Sequence, residues 1–288
     1  MSDAIISGRR SRQLGGTVLL APATLVVLIM LAAPLALLVR YSFNRFSPTD
    51  LMIAAVTPEN YVRFFTDPFY LEVMRTTIGV ALLSTVLCLI LGLPIGWRLS
   101  RMRPPWRGIF IFAMIMPLFV SSTVRALGWM ILFARGGVLD LGSSYFFQRH
   151  FEMQFSSTGV VIGIVSANLP YMVLMAQSVF AGIDDRLSEA ARGLGAAPVR
   201  AFWRVIWPLA IPGIAIATIM CLILGMNAYA TPILLGGPRF QMMAPLVYWE
   251  FGTNNNWPFA SALAFVLMAT TLLLAVVAHT LVPRRYRA

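Results

Sequence analysis

Side chains able to do acid–base, nucleophilic or metal-binding work are few in this chain and do not gather. The 288 residues hold two histidines, two cysteines and eleven carboxylates, and all 22 basic residues are arginine. Without lysine there is no P-loop and no Schiff-base chemistry, so any ATP that drives this protein, with its magnesium, binds another subunit. His150 and His279 have no partner at metal-ligand spacing, and Ser121-Ser122-Thr123 has no His/Asp frame. Cys88 and Cys221 sit in separate apolar runs without a CxxC and read as small core residues. The sequence therefore predicts no catalytic residue, no metal and no cofactor bound by this chain.

One stretch does concentrate polar groups. From Ile183 the chain reads IDDRLSEAARGLGAAPVRAFWRVIWPLAIPGI. Asp184 or Asp185 can cap a short helix by accepting its free N–H groups, and Gly195 is a natural left-handed stop. Pro198 suits the first turn of a second helix, on which Arg200 and Arg204 share a face before Pro208. The result is a helix–turn–helix between two apolar runs. By its physics alone such a pair either lies in lipid headgroups as an anchor or presents a knob to a cytosolic partner.

The elements that must position this loop are membrane helices. Apolar residues make up 59% of the chain and charged ones 11%, against roughly 25% charged in a soluble domain, and the mean hydropathy is +0.79. Crossing a bilayer takes about 20 apolar residues, and six runs qualify: 17–39, 76–97, 108–133, 159–180, 209–235 and 259–282. The first is too long for a signal-peptide core and no small-residue cleavage site follows it. Pro117, Pro170, Pro212 and Pro232 fall inside these runs, where neighbouring helices or water must satisfy the freed backbone. The predicted fold is all-α and polytopic, with six transmembrane helices. An N-terminal tail covers 1–16, the membrane domain 17–282 with its helix–turn–helix loop at 182–208, and a C-terminal tail 283–288.

Arginine placement orients the chain. One side holds Arg9, Arg10 and Arg12, then Arg98, Arg101, Arg103 and Arg107, then Arg186, Arg192, Arg200 and Arg204, then Arg284, Arg285 and Arg287. The other holds Arg40, Arg45, Arg63, Arg75, Arg135, Arg149 and Arg239. Positive-inside bias puts the first set and both termini in the cytoplasm. The carboxylates lean the other way, so the net charge of +11 is almost entirely cytoplasmic and asks for no nucleic-acid partner. Outside, the stretch 41–75 mixes Asp50, Glu59 and Asp67 with Tyr61, Phe64, Phe65, Phe69 and Tyr70, the make-up of an interfacial aromatic belt.

The residue order of the cytoplasmic loop resembles the EAA motif, E-A-A-x3-G-x9-I-x-L-P, of permease subunits of binding-protein-dependent ABC importers. Glu189, Ala190, Ala191, Gly195 and Pro208 match it, while Val205 stands for the isoleucine and Trp207 for the leucine. The segments 34–43, 59–65, 92–94, 124–129, 169–174 and 234–238 look like the spermidine/putrescine type of these permeases. The resemblance implies a type I importer permease fold in a bacterial inner membrane. It makes the loop a coupling element seated in a cleft of a cytosolic ABC ATPase dimer, which binds ATP and magnesium. Asp185, Glu189, Ala190, Ala191, Gly195 and Pro208 would form that element: small alanines for close approach, Gly195 for the turn, Glu189 for a charged contact. It further implies a periplasmic or lipid-anchored solute-binding protein and a second, dissimilar permease subunit, a homodimer being the alternative.

For a substrate path the sequence offers Trp129, Asn168, Tyr171, Asn227, Tyr229 and Glu250. A polyamine needs carboxylates and aromatic faces. No carboxylate falls in the middle of a run, which leaves Glu250, beside Tyr248 and Trp249, ahead of Glu72 and Asp67. Polar residues within spans otherwise bond to neighbouring helices. Arg125, inside the third run, reads first as snorkelling or pairing with a carboxylate or carbonyl, and second as a contact for an anionic solute. Selectivity then rests mostly with the binding protein. Permeases for iron, thiamine, phosphonate or other amines share much of this pattern. An ion-coupled secondary transporter would call for midplane carboxylates or an internal repeat, and a scaffold without transport would leave the motif idle.

Overall fold

A computed structural model describes residues 2–137, 140, 153–238 and 240–281, of which 2–21 and 281 are described by backbone alone. Arg149, His150, Arg239 and the tail at 283–288 lie outside the described residues. Helix α1 (Ser2–Ser42) contains Pro22 and Pro34. Its part Pro22–Ser42 is apolar enough to cross a bilayer, and none of its most apolar window is buried against the rest of the chain. A hairpin of β1 (Arg45–Ser47) and β2 (Leu51–Ile53) follows, antiparallel with Phe46 opposite Met52. The fold is all-α and polytopic, with this short hairpin as a link between helices.

Helix α2 (Glu59–Thr66) closes a folded cap over the bundle end. Buried Asn60 donates from Nδ2 to the carbonyls of Ser42 at 2.8 Å and Asn44 at 2.9 Å, and Arg45 pairs with Glu59 at 2.8 Å. The belt expected here is only half formed: Phe64 and Tyr70 turn inward onto Phe259, while Phe65 and Phe69 stay exposed. Helix α3 (Pro68–Ser100) starts earlier than the apolar run 76–97, because the Asp67 carboxylate accepts the Phe69 N–H at 2.9 Å and Pro68 occupies the first turn.

The third run is not one helix. Helix α4 (Trp106–Ile115) and a 3-10 turn at Met116–Phe119 meet α5 (Ser122–Phe133) at 96°. Pro117 and the extended backbone of Val120 and Ser121 make the corner. Five helices or helical units are therefore long and apolar enough to cross as single pieces, and the third run adds a sixth only as a bent pair. Helix α6 (Ser157–Ala181) leads into the loop helices α7 (Asp185–Gly193) and α8 (Pro198–Ala201), then α9 (Trp207–Met226). The fifth run ends at Met226, capped by Asn227, and its last residues form a separate α10 (Ala230–Gly236) that holds Pro232. Helices α11 (Met243–Gly252) and α12 (Trp257–Leu281) complete the chain as described.

The core is made by α3, α6 and α9, which pack on one another. Lipid offers no hydrophobic drive for this, so close backbone approach at small residues must supply it. Gly92 and Gly96, one turn apart on α3, face Met172, Val173 and Ala176 of α6, and Gly225 of α9 lies against Ala81 of α3. Cys88 and Cys221 are fully buried within the same three-helix core, where the Cys88 thiol donates to the Val165 carbonyl at 3.8 Å and the Cys221 thiol to the Asn168 carbonyl at 3.9 Å. Thr77 Oγ1 accepts the N–H of Met243 at 2.8 Å, joining α11 to α3.

Candidate functional site

The exposed helix pair is built by local rules. Asp184, of the two candidate caps, does the capping: its carboxylate accepts the Arg186 N–H at 2.9 Å. Helix α7 ends in a Schellman motif, with Ala196 N–H donating to the Ala191 carbonyl at 3.1 Å and Gly195 N–H to the Arg192 carbonyl at 2.9 Å. Gly195 supplies the left-handed conformation this needs, at φ +87°. No residue of α7 is buried. Glu189, Ala190 and Gly195 are exposed, Ala191 is half-buried, and Leu194 just beyond the helix is 91% exposed. This is an apolar and charged knob left uncovered by the described residues.

Its second half is not cut off by proline. Pro208 has no N–H to give and its ring crowds the carbonyl one turn back, which would break an ordinary helix. A π turn at Phe202–Ile206 absorbs the misfit, with the Trp207 N–H bonded to the Phe202 carbonyl, and Pro208 lies in the first turn of α9. The stretch Pro198–Met226 therefore runs as one span-length helical unit, whereas the sequence predicts a separate amphipathic helix ending at Pro208.

The knob is also tied sideways. Asp185, expected among the partner-facing residues, forms an ion pair with Arg101 just after α3. The Arg101 guanidinium carbon stands 4.6 Å from the centre of the Trp97 ring, and burial pulls its pKa below the ordinary value, although an arginine stays charged at pH 7. Trp97 meets Phe180 of α6 edge-on at 5.1 Å and Phe202 of the π turn at 4.9 Å. These rings line one end of an apolar cleft of about 630 Å³ between α3 and α9, bordered also by Pro94, Trp203 and Trp207. Sequence reasoning passes over Trp97 and Arg101: the latter is one of four loop arginines, and nothing local marks it out.

The six residues proposed for a substrate path do not converge. Trp129 donates Nε1–H to Ser166 Oγ at 2.8 Å, tying α5 to α6, and stacks on Phe133. Asn168 is buried and reaches the Cys221 carbonyl at 3.4 Å, a bond from α6 to α9. Asn227 bonds back to the Ile223 carbonyl at 2.9 Å. Tyr171 is exposed, and Tyr229 is exposed and edge-on to Tyr248 at 4.9 Å. Glu250 is 7% exposed, within electrostatic reach of the Tyr70 hydroxyl, to which Arg63 donates at 2.9 Å. Neighbours on a helix point about 100° apart, so Tyr248 and Trp249 face outward, away from Glu250. Arg125 Nε and Nη1 are buried without a hydrogen-bond partner among the described residues, so the pairing expected for it is absent there. Among the described residues no group of His, Cys, Asp and Glu could hold a metal ion.

Residues 84–287 match the family model of the binding-protein-dependent transport system inner membrane component. The chain belongs to this family of permeases. The match takes in α3 from Ser84 onward, with Gly92, Gly96 and Trp97, then Arg101 and the whole exposed loop, and it makes the permease a multi-pass inner-membrane transport component. The permease is 30% identical over 260 residues to the spermidine/putrescine transport system permease protein PotB of Haemophilus influenzae, covering 88% of this chain and 90% of that one. It is 32% identical over 167 residues to the molybdenum transport system permease protein ModB of Azotobacter vinelandii, covering 58% and 73%. Its fold is that of a chain of a bacterial alginate ABC transporter solved with alginate pentasaccharide-bound periplasmic protein, at a TM-score of 0.76, 16% identity and coverage of 96% and 97%.

Proposed function

We propose that this permease forms half of the translocation path of a polyamine importer, the other half being a second, dissimilar permease subunit. The knob at α7 docks in a cleft of a cytosolic ABC ATPase, which binds the ATP and magnesium, and a periplasmic or lipid-anchored binding protein delivers spermidine or putrescine to the outer face. Glu189 supplies a charged contact to the ATPase, Ala190 and Ala191 allow close approach, and Gly195 holds the turn. Both termini lie in the cytoplasm on the arginine bias.

The observation that carries this reading is the knob itself. Leu187 and Leu194 are uncovered, no residue of α7 is buried, and yet the loop continues into a membrane span as one helical unit. A surface anchor needs no such rigid path into the bundle. The polyamine assignment rests on the near full-length relation to PotB, while the relation to ModB covers 58% of this chain.

The test is uptake by proteoliposomes holding the assembled importer, with labelled spermidine loaded on its binding protein. ATP-dependent accumulation, competed by putrescine and not by molybdate, is the expected result. Uptake of another solute in its place would reassign the substrate, and uptake without ATP would favour an ion-coupled transporter.

A further inference from the structure

We infer that Arg101 is a positioning residue that latches the exposed loop to α3, so that a push on α7 reaches the bundle core through Trp97 as well as along the helix that becomes α9. This rests on the docking reading above and adds to it a second route, within one chain, for the mechanical signal.

Helix α7 packs on the segment Pro198–Ile206 that follows it and buries nothing against the spans. Its tie to another part of the bundle is the Arg101–Asp185 ion pair. The choice of partners follows from charge. Arg101 stands among Arg98, Arg103 and Arg107, and of the three loop carboxylates Asp184 is engaged in capping and Glu189 lies a turn further along the knob. Asp185 is left as the carboxylate at the base of α7.

Arg101 is more than a surface cation. Its guanidinium lies over the Trp97 ring, and its Nε and Nη2 are buried with no hydrogen-bond partner among the described residues. The planar group is thus held by the ring on one side and the carboxylate on another, a geometry that an arginine fills and a lysine does not. Trp97 in turn touches Phe180, which is fully buried at the end of α6, and Phe202 in the π turn. Next to Trp97 on α3, Gly96 seats the helix on Ala176 of α6, and Gly92 one turn on seats it on Met172. Displacement of Asp185 therefore pulls on a ring wedged between two helices that are themselves locked together.

The experiment measures ATP hydrolysed per solute imported by the reconstituted importer carrying Arg101→Gln, Asp185→Asn, or both. Each single change is expected to raise that ratio about threefold, and the double change to raise it no further, as for two residues acting as one unit. An unchanged ratio in either single variant, or a double variant whose rise is the product of the singles, overturns the latch. Should Arg101→Gln fail to accumulate in the membrane, Arg101→Lys and Asp185→Asn are read instead, with the same two outcomes. Co-purification keeps the two claims apart: an ATPase that does not accompany the wild-type permease overturns docking, whereas a normal ratio in variants that retain the ATPase overturns the latch alone.

Discussion

A Cβ placed on Gly96 of α3 would stand 2.8 Å from the Cβ of Ala176 on α6 and 3.0 Å from the Val173 carbonyl oxygen. Two of its nearest neighbours are backbone atoms, which cannot swing away. Gly96→Ala should therefore destabilise the permease by about 1–3 kcal/mol, the usual cost of overpacking. Thermal unfolding in detergent checks this, and Gly108→Ala, where nothing lies within 4 Å, is the control that should change little.

Gly195 presents the opposite case. A Cβ there would meet nothing within 4 Å, yet φ is +87°, so only the backbone conformation resists substitution. Gly195→Val should cost about 1–2 kcal/mol of local strain, unwind the Schellman turn and leave ATP hydrolysis uncoupled from uptake. Gly195→Asn, which tolerates the left-handed region, should keep most of the coupling. Paired assays of stimulated hydrolysis and uptake decide it.

Trp129 and Asn168 act between helices. Trp129→Phe removes the bond to Ser166 and Asn168→Ala the bond to the Cys221 carbonyl. Interhelical bonds in membranes average about 0.6 kcal/mol, so each variant should unfold slightly earlier and transport with an unaltered KM. A shift in KM without loss of stability would return either residue to the substrate path.

Glu250 is buried, within electrostatic reach of Tyr70, while Tyr248 and Trp249 are exposed. Glu250→Gln should accordingly hold the KM for polyamine uptake within about twofold, whereas a tenfold rise, worth about 1.4 kcal/mol, would mean that the permease itself senses ammonium charge.

The first half of the loop was legible because capping and a left-handed glycine are local signals, carried by Asp184 and Gly195, whereas Pro208 signals a stop that the π turn before it removes. The spans were legible as lengths but not as shapes. Residues 108–133 are apolar on both sides of Val120, so hydropathy cannot reveal the 96° corner there. The apolar run likewise continues past Met226, which hides the end of α9 at Asn227. The start of α3 at Pro68 is hidden for the reverse reason: its first turns are polar enough to look like loop, and it is the Asp67 cap that extends the helix. Arg101 and Asp185 lie far apart in sequence, and only the packing of α3 beside the loop brings them together. Two glycines one turn apart at Gly92 and Gly96 were a readable signal for close helix approach.

The central claim, that this permease passes solute under the drive of a separate ATPase docked at α7, is tested most directly by purifying the tagged chain from its native membrane. ATP hydrolysis by whatever accompanies it is then measured with and without polyamine-loaded binding protein. Recovery of an ATPase whose rate rises with the loaded binding protein, and whose association is lost in Glu189→Arg, is the predicted result. Recovery of the chain alone, importing solute into liposomes without ATP, would contradict it.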